Sequence, residues 1–295
     1  MRYLIAPLRV LILLLHILDG VLISGLLFPA LDQPKRNRII RVWSRGLLRI
    51  CAMRLIVAGN ALDPRLARDG VLEGTRGRLV LANHVSWIDV FALLATLPSR
   101  FVAKSEIGRW PLIGLLVTLV GTLYIERGRR HAVAAMNQRV RDRLKEGHSV
   151  VVFAEGTTTD GFSLLPFHSN LIAPALEEGC EIWPVAVRYT EGGVQTSAAC
   201  FVGEMGLVTS LWNILVARDI AVEIALLPSL VATAESTRHQ LAHRARVAIA
   251  NYLGVAMDPP PHAPRPANAA TAIPPASPIA DTSHARTSAP ANASQ

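Results

Sequence analysis

The chain has 295 residues, 51% of them hydrophobic, with a mean hydropathy of +0.34 and a net charge of +8. That length holds one large domain or two modest ones, and the hydropathy is high for a soluble protein, leaving apolar surface for a membrane. Cys51, Cys180 and Cys200 form no C-x-x-C pair, so neither a zinc site nor a disulfide framework is indicated. Aromatic residues at 5%, without a nucleic-acid motif, argue against an RNA or DNA partner.

Leu4 to Leu31 is almost continuously apolar and long enough to span a bilayer. Arg9, His16 and the Asp19-Gly20 pair interrupt it, so it reads either as a span or as a hairpin in one leaflet. Leu26-Leu27-Phe28-Pro29 lacks the small-residue pattern of a cleaved signal peptide. Residues 1–60 hold nine Lys and Arg against Asp19 and Asp32, nearly the whole positive excess, which suits an anionic lipid surface. Lys35, Arg36, Arg38 and Arg41 outnumber Arg2 and Arg9, which places the main body on the cytoplasmic face of the inner or plasma membrane. From Asn37 to Val57 the pattern is helical, with Arg38, Arg41, Arg45 and Arg49 on one face, the form of a helix lying at a membrane interface.

Residues 78 to 190 alternate short apolar runs with helical patterns. Strands are expected at Arg78–Asn83, Phe101–Ala103, Thr122–Ile125, Val150–Ala154 and Ile182–Arg188. Helices are expected at Asp89–Leu97, Leu112–Val120, Arg130–Leu144 and Asn170–Glu178. Ile220–Leu226 reads as a late strand and Thr237–Leu253 as a closing helix. The fold class is α/β, a central mixed or mostly parallel sheet flanked by helices and preceded by a membrane-associated segment. Three regions follow: an anchoring segment over 1–60, a domain over 61–257, and a disordered Pro/Ala-rich tail over 258–295 that cannot bury enough surface to offset its ordering entropy.

One stretch carries candidate chemistry: Asn83-His84-Val85-Ser86-Trp87-Ile88-Asp89, between two apolar runs. A carboxylate that holds one imidazole nitrogen leaves the other free as a base near neutrality. Residues five apart on one helix are offset by about 500°, so the pair meets only if His84 sits in a turn and Asp89 in the first turn of the next helix. A structural His beside a helix-capping Asp is the plainer alternative. Three further clusters end apolar runs: Gly121 to Arg127, Val151 to Gly161, and Trp183-Pro184-Val185. Arg127 can fork onto a phosphate or carboxylate. Thr157, Thr158 and nearby backbone N–H groups can hold polar head groups. Taken singly, each cluster also reads as a surface turn.

In this order the clusters resemble the phospholipid/glycerol acyltransferase family. Its N-H-x-S-x-x-D block is matched by Asn83, His84, Ser86 and Asp89. Its G-x-x-F-I-x-R block is matched by Gly121, Ile125 and Arg127, with Tyr124 for Phe, and its F-P-E-G-T-R-S block by Phe153, Glu155, Gly156 and Thr157. The resemblance implies an O-acyltransferase bound to membrane lipids, with His84 as base and Asp89 as its partner. It implies that Asn83, Ser86, Arg127, Glu155, Gly156, Thr157 and Thr158 place the substrate. No metal or bound cofactor is implied; acyl-CoA or acyl carrier protein is the co-substrate and a lysolipid the acceptor. Two departures bear on that acceptor: Ala154 stands for the Pro, and Thr158 for an Arg that the family associates with the acceptor phosphate. Lysophosphatidic acid is the first expectation by family frequency. Lyso-ornithine lipid is the alternative, because the Glu-Gly-Thr loop running into Asp160-Gly161 also resembles acyltransferases for that lipid. A lipid-binding homologue without catalysis ranks behind both, since His84 and Asp89 are both present.

Overall fold

The computed structural model describes residues 2–59, 77–125, 130–233 and 235–258, and in it the apolar N-terminal run forms helix α1 (Arg2–Leu26). The helix is long and apolar enough to cross a membrane, and Leu8, Leu11, Leu15, Leu18 and Leu22 lie exposed along it. Ala6, Leu13, Gly20 and Ser24 form a buried stripe at helical spacing, so α1 is docked lengthwise.

Helix α2 (Gln33–Ile50) opens on Asp32, whose carboxylate accepts the Lys35 N–H at 3.0 Å. His16 of α1 stacks on Trp43 of α2 with centroids 4.5 Å apart. His16 Nε2 meets the Trp43 carbonyl at 2.9 Å, and the Trp43 indole N–H donates to the His16 carbonyl at 3.0 Å. The two helices are thus clamped at both ends of one ring pair. Arg38, Arg45 and Arg49 are exposed as expected, but Arg41 is half-buried, and Val42 takes the exposed position between them.

The helical pattern expected to reach Val57 stops at Ile50. Ala52 takes φ +52° and turns the chain into strand β1 (Arg54–Gly59), which pairs in parallel with a late strand of the main sheet. The segment expected to end at residue 60 thus contributes a strand to the main sheet, and Met1–Pro260 forms one compact unit.

The sequence then gives β2 (Arg78–Ala82), α3 (Asp89–Thr96), β3 (Arg100–Lys104), α4 (Ile113–Leu119), β4 (Leu123–Ile125), α5 (Arg130–Lys145), β5 (Ser149–Phe153) and β6 (Ser163–Leu164). After these come α6 (Ala173–Glu178), β7 (Ile182–Glu191), β8 (Val194–Gln195), α7 (Leu207–Val216), β9 (Ile220–Leu226), α8 (Arg238–Leu253) and β10 (Ala256–Met257). The main sheet runs β1-β9-β7-β2-β5-β3-β4, with β8 on β7. It is parallel except where β7 meets β9 and β8. Alternation along β2 divides the core. Val80 and Ala82 face a layer that includes residues of α1, α2, α3 and α7; Leu79 and Leu81 face residues of α5, α6 and α8. Of the tail expected at 258–295, Asp258 belongs to the fold, accepting from Ser163 at 2.9 Å; the rest lies outside the described residues.

Candidate active site

Strands β2, β5 and β3 are parallel, so Ala82, Phe153 and Lys104 end at one edge of the sheet. From β2 the chain crosses through α3 to β3; from β5 it crosses through α6 to β7, on the other side of β2. The two connections leave adjacent strands for opposite faces of the sheet, α3 on one and α6 on the other, and open a crevice at that edge. The loops after β2 and β5 face each other across it.

Asp89 is the first residue of α3 and fully buried. Its Oδ2 accepts from His84 Nδ1 at 2.8 Å, from Val85 N–H at 2.7 Å and from Ser86 N–H at 2.9 Å. Its Oδ1 accepts the Tyr189 phenol at 2.5 Å. Four donors offset the cost of burying the carboxylate. Burial, followed by the Asp89 charge, raises the Tyr189 phenol well above its ordinary range, so it stays a donor.

His84 sits in the turn, as its spacing from Asp89 requires. Its N–H donates to Glu155 Oε1 at 2.9 Å, its carbonyl accepts from Thr159 N–H at 2.8 Å, and its ring stacks on Phe153 at 3.7 Å and 9°. With Nδ1 donating to the carboxylate, Nε2 is the nitrogen left with a lone pair.

Three residues expected to touch substrate are buried, and two of them bond within the protein. Asn83 is fully buried; its amide donates to the Val187 carbonyl at 2.9 Å and accepts the Val187 N–H at 2.8 Å, which pins β2 to β7. Glu155 is 3% exposed, and its second oxygen accepts the Leu165 N–H at 2.9 Å, so it ties the two loops together. Burial outweighs both N–H bonds and raises its carboxyl to about 7. Ser86 is fully buried, and its hydroxyl has no hydrogen-bond partner among the described residues. The side chains of Asn83 and Glu155 thus bond within the scaffold.

Gly156 takes φ +71°, and a Cβ there would come within 2.9 Å of the His168 ring. The turn leaves Thr157 exposed at the crevice. The Thr158 hydroxyl donates to the Phe201 carbonyl, and Phe201 N–H donates to the Val85 carbonyl at 2.9 Å. Asp160 is exposed, with Oδ1 accepting the Phe162 N–H at 3.0 Å. Arg127 lies outside the described residues.

Sequence reasoning passed over Tyr189 and the ring of Phe153 as site residues. Tyr189 carries a hydroxyl on the apolar stripe of Val185 and Val187, and a buried phenol needs a partner. Behind the site, Phe153 packs on Phe101 with ring centroids 6.0 Å apart, and Phe101 lines a narrow apolar cavity. Ile23, Phe28, Ile40, Trp43 and Phe91 line it too, from α1, α2, α3 and the turn after α1. Among the described residues no cluster of His, Cys, Asp and Glu is placed to hold a metal ion.

The family profile described as Acyltransferase matches residues 66–188. The chain is 37% identical over 219 residues to a lyso-ornithine lipid O-acyltransferase of Pseudomonas aeruginosa, covering 73% of this chain and 78% of the relative. It is 34% identical over 189 residues to a 1-acyl-sn-glycerol-3-phosphate acyltransferase of Neisseria meningitidis, covering 64% and 70%. The crystal structure of PlsC, the 1-acyl-sn-glycerophosphate acyltransferase of Thermotoga maritima, superposes with a TM-score of 0.60 at 15% identity, over 86% of this chain and 96% of that one, a likeness of fold.

Proposed function

The chain belongs to the acyltransferase family, and from that premise we propose that it moves a fatty acyl group from acyl-CoA or acyl carrier protein to the hydroxyl of a lysolipid. The observation that carries the mechanism is the His84–Asp89 pair, fixed at 2.8 Å with Nε2 free. Nε2 takes the hydroxyl proton as the oxygen attacks the thioester carbonyl carbon. Asp89 holds the imidazole in the required tautomer and stabilises the imidazolium that forms. The tetrahedral intermediate collapses with loss of the C–S bond, and the proton passes from Nε2 to the leaving thiolate, giving an ester and a free thiol. We place the acyl chain along the apolar lining of the cavity beside Phe101, whose walls part to admit it. Helix α1 embeds in the membrane, and the exposed Arg38, Arg45 and Arg49 meet its anionic face, with the catalytic domain on the cytoplasmic side.

For the acceptor, the loop after β5 favours lyso-ornithine lipid over lysophosphatidic acid, reversing the order that family frequency suggests. A phosphate monoester recruits cations or a dense set of donors. Here the Arg is absent, the Thr158 hydroxyl is committed to Phe201, and Asp160 brings a negative charge suited to an ammonium group. Lysophosphatidic acid is the second reading, favoured by Arg127 in the family block. The purified protein is to be assayed on both acceptors with both donors, alone and as Thr158→Arg. We expect the wild type to prefer the zwitterion and the variant to shift toward the phosphate. Activity on lysophosphatidic acid alone, unmoved by Thr158→Arg, would overturn the acceptor assignment.

A further inference from the structure

Between β3 and α4 the chain sets three large apolar side chains in solvent: Trp110, Leu112 and Leu115 are 38%, 46% and 50% exposed. Leu112 is held there in a strained conformation. It takes φ +59° and ψ −52°, and Ile113 N–H donates to the Pro111 carbonyl at 2.6 Å. This is a φ-positive γ-turn, rare and costly for a residue with a side chain. Glycine would adopt it with little penalty. A leucine kept both strained and exposed calls for something that leucine contacts.

The surroundings indicate what that is. Helix α4 packs on the second half of α1: Gly20, Ile23 and Ser24 line the same cavity as Leu116 and Val117. The exposed face of α1 carries Leu18, Leu22 and Leu26. The apolar surface therefore runs on from a helix fitted to lipid onto the Trp110–Leu115 turn. Lys104, Glu106 and Arg109, all exposed, precede the turn and leave it a rim of net positive charge that complements anionic head groups. A Trp beside such a rim suits the level of the lipid interface.

We propose that the Trp110-Pro111-Leu112 turn inserts into the bilayer as a second attachment, distinct from α1. Because β3 ends at the edge that carries His84, this attachment holds the catalytic edge against the lipid from which a lysolipid would come. Lipid contact offsets the strain at Leu112. The proposal rests on the reading of the chain as a membrane enzyme, and not on the choice of acceptor.

The test uses the full chain in phosphatidylethanolamine and phosphatidylglycerol vesicles. The three native cysteines are buried, so an environment-sensitive thiol label goes to an introduced one. It is placed by Leu15→Cys on α1, by Leu112→Cys at the turn, or by Val231→Cys at the opposite edge of the sheet. At Leu112→Cys we expect quenching by a lipid-borne quencher roughly threefold stronger than at Val231→Cys, with protection from iodide. Lipid contact at Leu15→Cys with iodide access at Leu112→Cys would overturn the second attachment alone. Iodide access at both would also overturn the reading of α1 as membrane-embedded. Protection of Leu112→Cys from both quenchers would mean that protein covers the turn, and would overturn the proposal. Leu112→Gly supplies a second measurement: its thermal midpoint in detergent should rise as the strain is released. A lowered midpoint would show that the leucine serves packing instead, and would overturn the proposal.

Discussion

Tyr189 donates its phenolic hydrogen to Asp89 at 2.5 Å from a strand one hundred residues away in sequence. The bond holds the far oxygen of the carboxylate while the near one holds His84, so the plane of the pair is set from both sides. Tyr189→Phe leaves a buried carboxylate oxygen short of a donor. We expect a stability loss of about 1–3 kcal/mol, measured by denaturant melting in detergent. A positioning role predicts in addition a several-fold fall in kcat with KM nearly unchanged. Equal kcat in the folded variant would reduce Tyr189 to a packing residue.

His84→Ala should lower turnover by roughly a thousandfold, since a positioned base is worth about 10²–10⁴. The protein should remain folded, because the ring is partly exposed and its backbone bonds to Glu155 and Thr159 do not depend on it. Asp89→Asn should cost more stability, because an amide presents N–H where the site already supplies donors. Thioester consumption with acceptor present gives the rate, and circular dichroism gives the fold.

Two buried groups give opposite pH dependences over one range. Burial raises Glu155 from 4.5 to about 7, so the folded protein binds the extra proton and this group's contribution to stability falls as pH rises through that window. Burial lowers His148 from 6.5 to about 4, so the unfolded chain binds the extra proton and its contribution rises with pH over nearly the same window. Each amounts to about 3 kcal/mol, and in the wild type they largely cancel. Glu155→Gln should therefore uncover a stability that climbs from pH 4 to 6.5, and His148→Gln one that declines from 4.5 to 7. Urea midpoints across pH would show the two slopes, and parallel curves for all three proteins would refute the assignment.

The cavity predicts a limit on the acyl chain. Val117 lines it beside Gly20, where an added Cβ would already meet the Trp43 ring at 2.7 Å. Val117→Phe fills part of that space and should shift donor preference toward shorter chains, read by competition between twelve- and eighteen-carbon thioesters, each fully buried two-carbon step being worth about tenfold. An unchanged ratio would place the acyl chain elsewhere.

Much of this arrangement was legible in the sequence, for identifiable reasons. Strands β2 and β5 are buried on both faces, so they stand out as apolar runs, and β9, apolar but for Glu223, falls at the expected Ile220–Leu226. His84 and Asp89 are neighbours in sequence, and their spacing specified the turn that joins them. Strand β1 was hidden because it is an edge strand with an irregular pattern of exposure, reached through a turn at Ala52 that carries no Gly or Pro signal. Helix α7 was hidden because an apolar run such as Leu207–Val216 fits strand or helix. The roles of Asn83 and Glu155 depend on Val187 and Leu165, partners that no local spacing could supply.

The buried stripe along α1 makes this helix a poor candidate for exchange. Ala6, Leu13, Gly20 and Ser24 are fitted to one partner surface, and Gly20 leaves room for Trp43. A chimera carrying a foreign membrane helix of equal hydropathy would still reach the bilayer, yet it would lack the His16 clamp on Trp43 and one wall of the cavity. Such a chimera should fractionate with membranes and be inactive. If α1 is the membrane helix we propose, the part that finds the lipid is also a component of the folded catalyst.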